Sequence, residues 1–114
     1  MLKNRRARLE RFFTSYNIDA LLVTNLANIR YLSGFSGSEG ALVLNREGCW
    51  LLCDSRYTSQ AQAEVVDGEV RQFSEKQDAV RGLIEELKVG RLGFESSHTT
   101  VEAFMDLSGK LQGL

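Results

Sequence analysis

Apolar residues recur along this chain in two rhythms, one at helical spacing and one in short unbroken runs. Leu2, Leu9, Phe12, Phe13 and Tyr16 follow the first, so residues 2–16 are predicted to form an amphipathic helix with its polar side outward. Asn17 is placed to stop it. Ile18-Asp19-Ala20-Leu21-Leu22-Val23 then reads as a buried strand. Thr24 and Asn25 are both candidates to cap a short helix running to Leu32, with Gly34 just past its end. Ala41-Leu42-Val43-Leu44 and Cys49-Trp50-Leu51-Leu52-Cys53 are apolar runs joined by Asn45-Arg46-Glu47-Gly48, a hairpin pattern with turn residues at its tip.

Neither of those runs alternates cleanly between apolar and polar, which predicts a sheet covered on both faces. A helix is expected over 55–66 with Tyr57, Ala61 and Val65 inward, followed by an edge strand over 69–73. Ser74 and Gln77 have capping-box spacing ahead of a helix whose inner face is Val80, Leu83, Ile84 and Leu87 and which Gly90 ends. Residues 91–95 read as another strand. Thr99 and Glu102 repeat the capping box before a last helix bearing Val101, Phe104, Met105 and Leu111. The predicted order, α-β-α-β-β-α-β-α-β-α, implies an α/β fold. Its mixed sheet of about five to six strands is flanked by helices on both faces, because one connection is a tight hairpin and others pass through helices.

Composition changes this picture little. The 114 residues make one domain, 1–114, long enough to bury roughly two-thirds of the surface of the unfolded chain. Fourteen basic against fifteen acidic residues leave a net charge of −1, so neither nucleic acid nor an anionic membrane is an expected partner. Lys3, Arg5, Arg6, Arg8 and Arg11 crowd the first helix; a solvated face is the first reading, ahead of contact with another domain or subunit. Proline is absent, which argues against a linker or proline-rich tail. No apolar run approaches the roughly 18 residues of a membrane span, and charges stand where a signal peptide needs its apolar stretch. A cytoplasmic protein is expected. Because the chain ends just after a predicted helix, it reads as a fragment that continues into a further element.

Cys49 and Cys53 fall on one face of their predicted strand, about 13 Å apart from a rise of roughly 3.3 Å per residue. That is too far for a disulfide, so both thiols are expected to be buried packing groups. His98 is the only histidine and reads as an exposed loop or cap residue.

Gly34-Phe35-Ser36-Gly37-Ser38-Glu39-Gly40 is the most unusual stretch. A phosphate cradle would need a helix start, with a lysine in the P-loop form; here the glycines lead into a strand. Ser36 and Ser38 lack the spacing of a nucleophile elbow. What remains is a flexible loop able to present Phe35, Ser38 or Glu39 to something else, or a plain helix-to-strand connector. Asp54-Ser55-Arg56-Tyr57 is a second polar segment, in which Asp54 or Ser55 is placed to cap the following helix and Arg56 to pair with a carboxylate. In Asn28-Ile29-Arg30-Tyr31, Ile29 and neighbouring Leu32 are expected inward, with Asn28 and Arg30 bonding locally. Asp19, Asp54, Asp67, Asp78 and Asp106 lie on separate elements with no shared histidine, so no dinuclear metal site and no catalytic group are expected within this chain.

The run from Asn28 to Ser38, Asn-Ile-Arg-Tyr-Leu-Ser-Gly-Phe-Ser-Gly-Ser, resembles the signature of the creatinase–prolidase N-terminal domain. Asp54-Ser55-Arg56-Tyr57-Thr58-Ser59-Gln60-Ala61 resembles that family's second block, and Leu92-Gly93-Phe94-Glu95 a third. The resemblance implies the non-catalytic N-terminal part of a proline-specific metallopeptidase, an Xaa-Pro dipeptidase or aminopeptidase. Its missing C-terminal pita-bread domain would hold two divalent ions (manganese, cobalt or zinc) and act on short proline-containing peptides. It further implies a homodimer built through N-terminal domains, with Phe35, Ser36, Gly37, Ser38 and Glu39 gating the active site, the partner subunit's being one candidate. Asn28, Arg30, Tyr31, Gly34, Asp54, Arg56 and Tyr57 would be the structural motif residues. On this reading Phe35→Ala or Glu39→Ala changes kinetics more than stability. The alternative is a free-standing interaction module of the same fold.

Overall fold

The computed structural model describes residues 9–94. In chain order these form α1 (Glu10–Ser15), β1 (Ala20–Val23), α2 (Leu26–Ser33), β2 (Ala41–Asn45), β3 (Cys49–Cys53), α3 (Thr58–Glu64), β4 (Glu69–Gln72), α4 (Lys76–Glu86) and β5 (Leu92–Phe94). The predicted alternation of elements is therefore present from α1 to β5. The N-terminal part of the predicted first helix, His98 and the predicted last helix lie outside the described residues.

The strands form one five-stranded mixed sheet in the order β4-β3-β2-β1-β5. β2 is antiparallel to both β1 and β3, whereas β4 runs parallel to β3 and β5 parallel to β1. Only β2 and β3 are joined by a hairpin. At its tip the Asn45 Oδ1 accepts the backbone N–H groups of Glu47 at 2.7 Å and Gly48 at 2.8 Å, a side-chain substitute for turn hydrogen bonds.

The unbroken apolar runs arise because both pleat faces are buried. Leu42, Leu44, Cys49, Leu51 and Cys53 face one side, where Phe13, Ile29, Leu32, Phe35 and Ala61 cover them. Ala20, Leu22, Ala41, Val43 and Leu52 face the other, beneath Val80, Leu83 and Ile84 of α4. Both cysteines are free and buried on the same face, and burial pushes the Cys53 thiol above its ordinary value.

Several element ends differ from expectation, most informatively those of α3 and α4. α3 starts at Thr58 and not at 55, because Asp54 turns back onto Arg56 and residues 55–57 form a turn; its N-cap Tyr57 makes no side-chain cap bond. α4 is capped by Glu75, whose carboxylate accepts the N–H groups of Gln77 and Asp78, so Ser74 lies one residue outside the helix. Its end falls at Glu86, four residues before Gly90, and Lys88 just beyond it takes the left-handed conformation (φ 56°). By contrast, Asn17 stops α1 with φ 53°, and Asn25 is the cap of α2, its Oδ1 accepting from Asn28 N–H at 3.1 Å.

Candidate functional site

The pairing pattern places β1, β3, β4 and β5 with their carboxyl ends, and β2 with its start, along a single edge of the sheet. The glycine-rich segment enters β2 at this edge, and the Asp54–Tyr57 segment leaves β3 there. Two stretches of sequence that read as separate motifs therefore meet in space.

Their junction is built from the inside outward. α2 turns Ile29, Leu32 and Ser33 into the core and leaves Asn28, Arg30 and Tyr31 outside. Buried Ser33 donates its hydroxyl to the Ile29 carbonyl at 2.6 Å and accepts the Phe35 N–H at 3.2 Å. Gly34 ends the helix in the left-handed region (φ 89°), its N–H bonded to the Arg30 carbonyl; a side chain there would be strained. This turn drives Phe35 inward, where it is 1% exposed and meets the Tyr57 ring edge-on at 6.1 Å. A Cβ at buried Gly37 would stand 2.2 Å from the Phe35 ring, so the backbone passes over the aromatic at a distance only glycine allows.

The expectation that the loop offers Phe35 to a partner is thus corrected. Its ring is a core group, because the αL turn at Gly34 and the bond to Ser33 aim it at the sheet. Nor does the segment hang free. Ser36 N–H and Oγ donate to the two Glu64 carboxylate oxygens at 2.9 and 2.8 Å. Gln60 Nε2 reaches Ser36 Oγ and Glu64 Oε1, both at 3.2 Å. Ser38 shares a hydrogen bond with the Tyr57 hydroxyl. Lys76, at the start of α4, binds Glu39 at 2.7 Å. Ser36 and Ser38 are exposed and Glu39 is partly so.

Asp54 is held by Arg56 through the backbone N–H at 2.9 Å and through Nε and Nη2 of the guanidinium, the last at 2.7 Å. These bonds keep the Asp54 carboxyl below its ordinary range. The same guanidinium lies over the Tyr57 ring, 5.2 Å from its centre. The Ser36 N–H and hydroxyl, then Gln60 and the charge of Arg30, hold Glu64 below the ordinary carboxylate range. With its folded-state value depressed, the contribution of this clamp is complete above the unfolded value and disappears as pH falls through the folded one.

Sequence reasoning missed Glu64, Gln60 and Lys76. The available signal was the four-residue spacing of Gln60 and Glu64, which puts both on one face of a helix; nothing local points that face at Ser36. Among the described residues no group of three or more His, Cys, Asp or Glu could hold a metal ion. These residues accordingly do not fit the two-metal centre that the resemblance implies for a parent enzyme. No helix among them is long and apolar enough to cross a membrane.

The family model described as Creatinase/Prolidase N-terminal domain matches residues 5–114. The chain is similar to the uncharacterized peptidase YqhT of Bacillus subtilis (strain 168), at 30% identity over 89% of this chain and 29% of that protein. It thus spans under a third of the length of that curated relative. Among solved structures, the N-terminal domain of the cytoplasmic peptidase PepQ from Mycobacterium tuberculosis H37Rv superposes with a TM-score of 0.89 at 39% identity, covering 96% of this chain and 86% of that one. An Xaa-Pro aminopeptidase from Streptococcus pyogenes gives 0.90 at 30% identity over 99% and 87%. An Xaa-Pro dipeptidase from Bacillus anthracis gives 0.93 at 26% identity over 98% and 32%.

Proposed function

Because the chain belongs to the creatinase/prolidase N-terminal domain family, we propose that it is the non-catalytic N-terminal module of an Xaa-Pro dipeptidase or Xaa-Pro aminopeptidase. In this reading bond cleavage and the two divalent ions (manganese, cobalt or zinc) belong to a further domain. The module works in the cytoplasm as part of a homodimer formed through N-terminal domains. It lends the rim segment around Ser36, Ser38 and Glu39 to the mouth of an active site, that of the partner subunit being the favoured one. Phe35 and Gly37 shape the segment from within. The rim selects short proline-containing peptides by standing in the path of longer ones.

The observation that supports this reading is the convergence of both motif segments on one edge of the sheet, with Phe35 inward and the polar residues outward. Carboxyl ends of strands in open α/β sheets are where ligands are met, and loops on a rigid scaffold carry binding groups. The test is hydrolysis of Xaa-Pro dipeptides and of longer Xaa-Pro peptides by the whole protein that carries this chain, with manganese or cobalt added. Cleavage of the short substrates is expected, with the preference for length relaxed in Ser38→Ala and Glu39→Ala. A whole protein without such hydrolysis would favour a free-standing interaction module. An active protein whose length preference ignores both substitutions would remove the gating role.

A further inference from the structure

We propose that Glu64, supported by Gln60, is a positioning residue that sets where the rim segment stands. The structural half of this inference stands alone, and its kinetic half rests on the function proposed above.

Among the described residues four side-chain links tie the segment to the rest of the domain: Ser36 to Glu64 and to Gln60, Ser38 to Tyr57 and Glu39 to Lys76. The last two hold side-chain tips and leave the backbone free to shift. Of these partners only Glu64 grips the main chain, through the Ser36 N–H at 2.9 Å, while its second oxygen takes the Ser36 hydroxyl at 2.8 Å. A bidentate grip on adjacent donors of one residue fixes both translation and rotation of the backbone at that point. Gln60 bonds to both partners, which restrains the Glu64 side chain from rotating away. Phe35, buried on one side of Ser36, supplies an apolar anchor next to this polar one. With residues 35 and 36 pinned, exposed Ser38 and partly exposed Glu39 have little freedom left.

Glu64 fits a positioning role better than a core role. Ala61 is the buried residue of α3, whereas Glu64 lies on the partly exposed side of the helix. Its loss would free the segment and spare the packing beneath it.

The test combines two measurements. In the 114-residue chain, Glu64→Ala is expected to speed hydrogen exchange at the Ser36 amide by about tenfold or more, from loss of a charge-assisted bond, with the melting temperature lowered by only a few degrees. In the whole protein, the same substitution is expected to raise KM for an Xaa-Pro dipeptide by about fivefold and to leave kcat within about twofold. Glu64→Gln keeps one acceptor for the N–H and a donor for the hydroxyl, so it should return both readouts close to the unsubstituted protein. Unchanged Ser36 exchange in Glu64→Ala would overturn the clamp. Faster exchange with unaltered kinetics in an active protein would overturn its positioning role. Absence of hydrolysis in the unsubstituted protein would instead overturn the proposed function, a result separate from either.

Discussion

Phe35 lies at the centre of a residue-scale arrangement in which each neighbour has a distinct physical task. Gly34 supplies the left-handed turn, Ser33 the acceptor for the Phe35 N–H, and Gly37 the space for the ring. The ring is almost wholly removed from water, so Phe35→Ala leaves a cavity in the core. A destabilisation of about 3–5 kcal/mol is expected, corresponding to a fall in melting temperature of roughly 10 °C or more, readable by calorimetry or circular dichroism. A melting temperature within a degree or two of the unsubstituted chain would contradict the burial described here. The expectation from sequence, kinetics before stability, is reversed at this position. It is kept for Glu39, whose partly exposed carboxylate binds Lys76 at the surface. Nothing in the run Gly-Phe-Ser-Gly distinguishes an aromatic offered to solvent from one folded beneath its own loop. The answer depends on Ile29 and Tyr57, whose proximity is tertiary.

At the scale of elements, the edge strand β4 is the least supported by apolar contact, with its residues partly or largely exposed. Beyond its ladder with β3 and the packing of Val70, its hold on the domain is ionic. Arg71 makes two parallel bonds to the Glu86 carboxylate at the end of α4, at 2.8 and 2.6 Å, and also binds Glu69. This is the bidentate geometry in which a surface ion pair contributes measurably. Arg71→Ala should lower the melting temperature by about 3 °C. That difference should shrink in molar salt, where charges at the surface are screened. A difference that persists undiminished at high salt would mean that the Arg71 stem, and not its charge, supports the strand. The strand itself was legible from its position after a helical stretch and its weak apolar content. Its anchor was not, since Arg71 and Glu86 lie fifteen residues apart. The ends of α3 and α4 were likewise misread for a local reason: Ser, Asp and Glu are all competent caps, and the choice between neighbours depends on which backbone N–H groups a side chain reaches.

For the whole molecule, the topology gathers every described helix-bound strand end on one edge and leaves the Asn45–Gly48 turn at the opposite one. The rim near Ser38 and Tyr57 lies on the first of these edges, where the proposed gating would act. The described residues contain no cluster fit to hold a metal. Under the proposed function, in which the metal ions belong to a further domain, the 114-residue chain on its own is expected to show no Xaa-Pro hydrolysis with added manganese or cobalt. Turnover above a blank of metal alone, in a chromogenic or amino-acid release assay, would refute this.

The order of elements, the covered faces of the sheet, the hairpin and the burial of both cysteines were all determined by the sequence itself. They depend on apolar periodicity and turn chemistry, which act over a few residues. Membership of a family was legible for the same reason, through short runs kept in order. The packing of Phe35 against Tyr57, the Glu64 clamp on Ser36 and the meeting of two motif segments at Tyr57 were decided only by the tertiary structure. Each joins groups from 19 to 28 residues apart, and such contacts exist only once the sheet has set the distance between them.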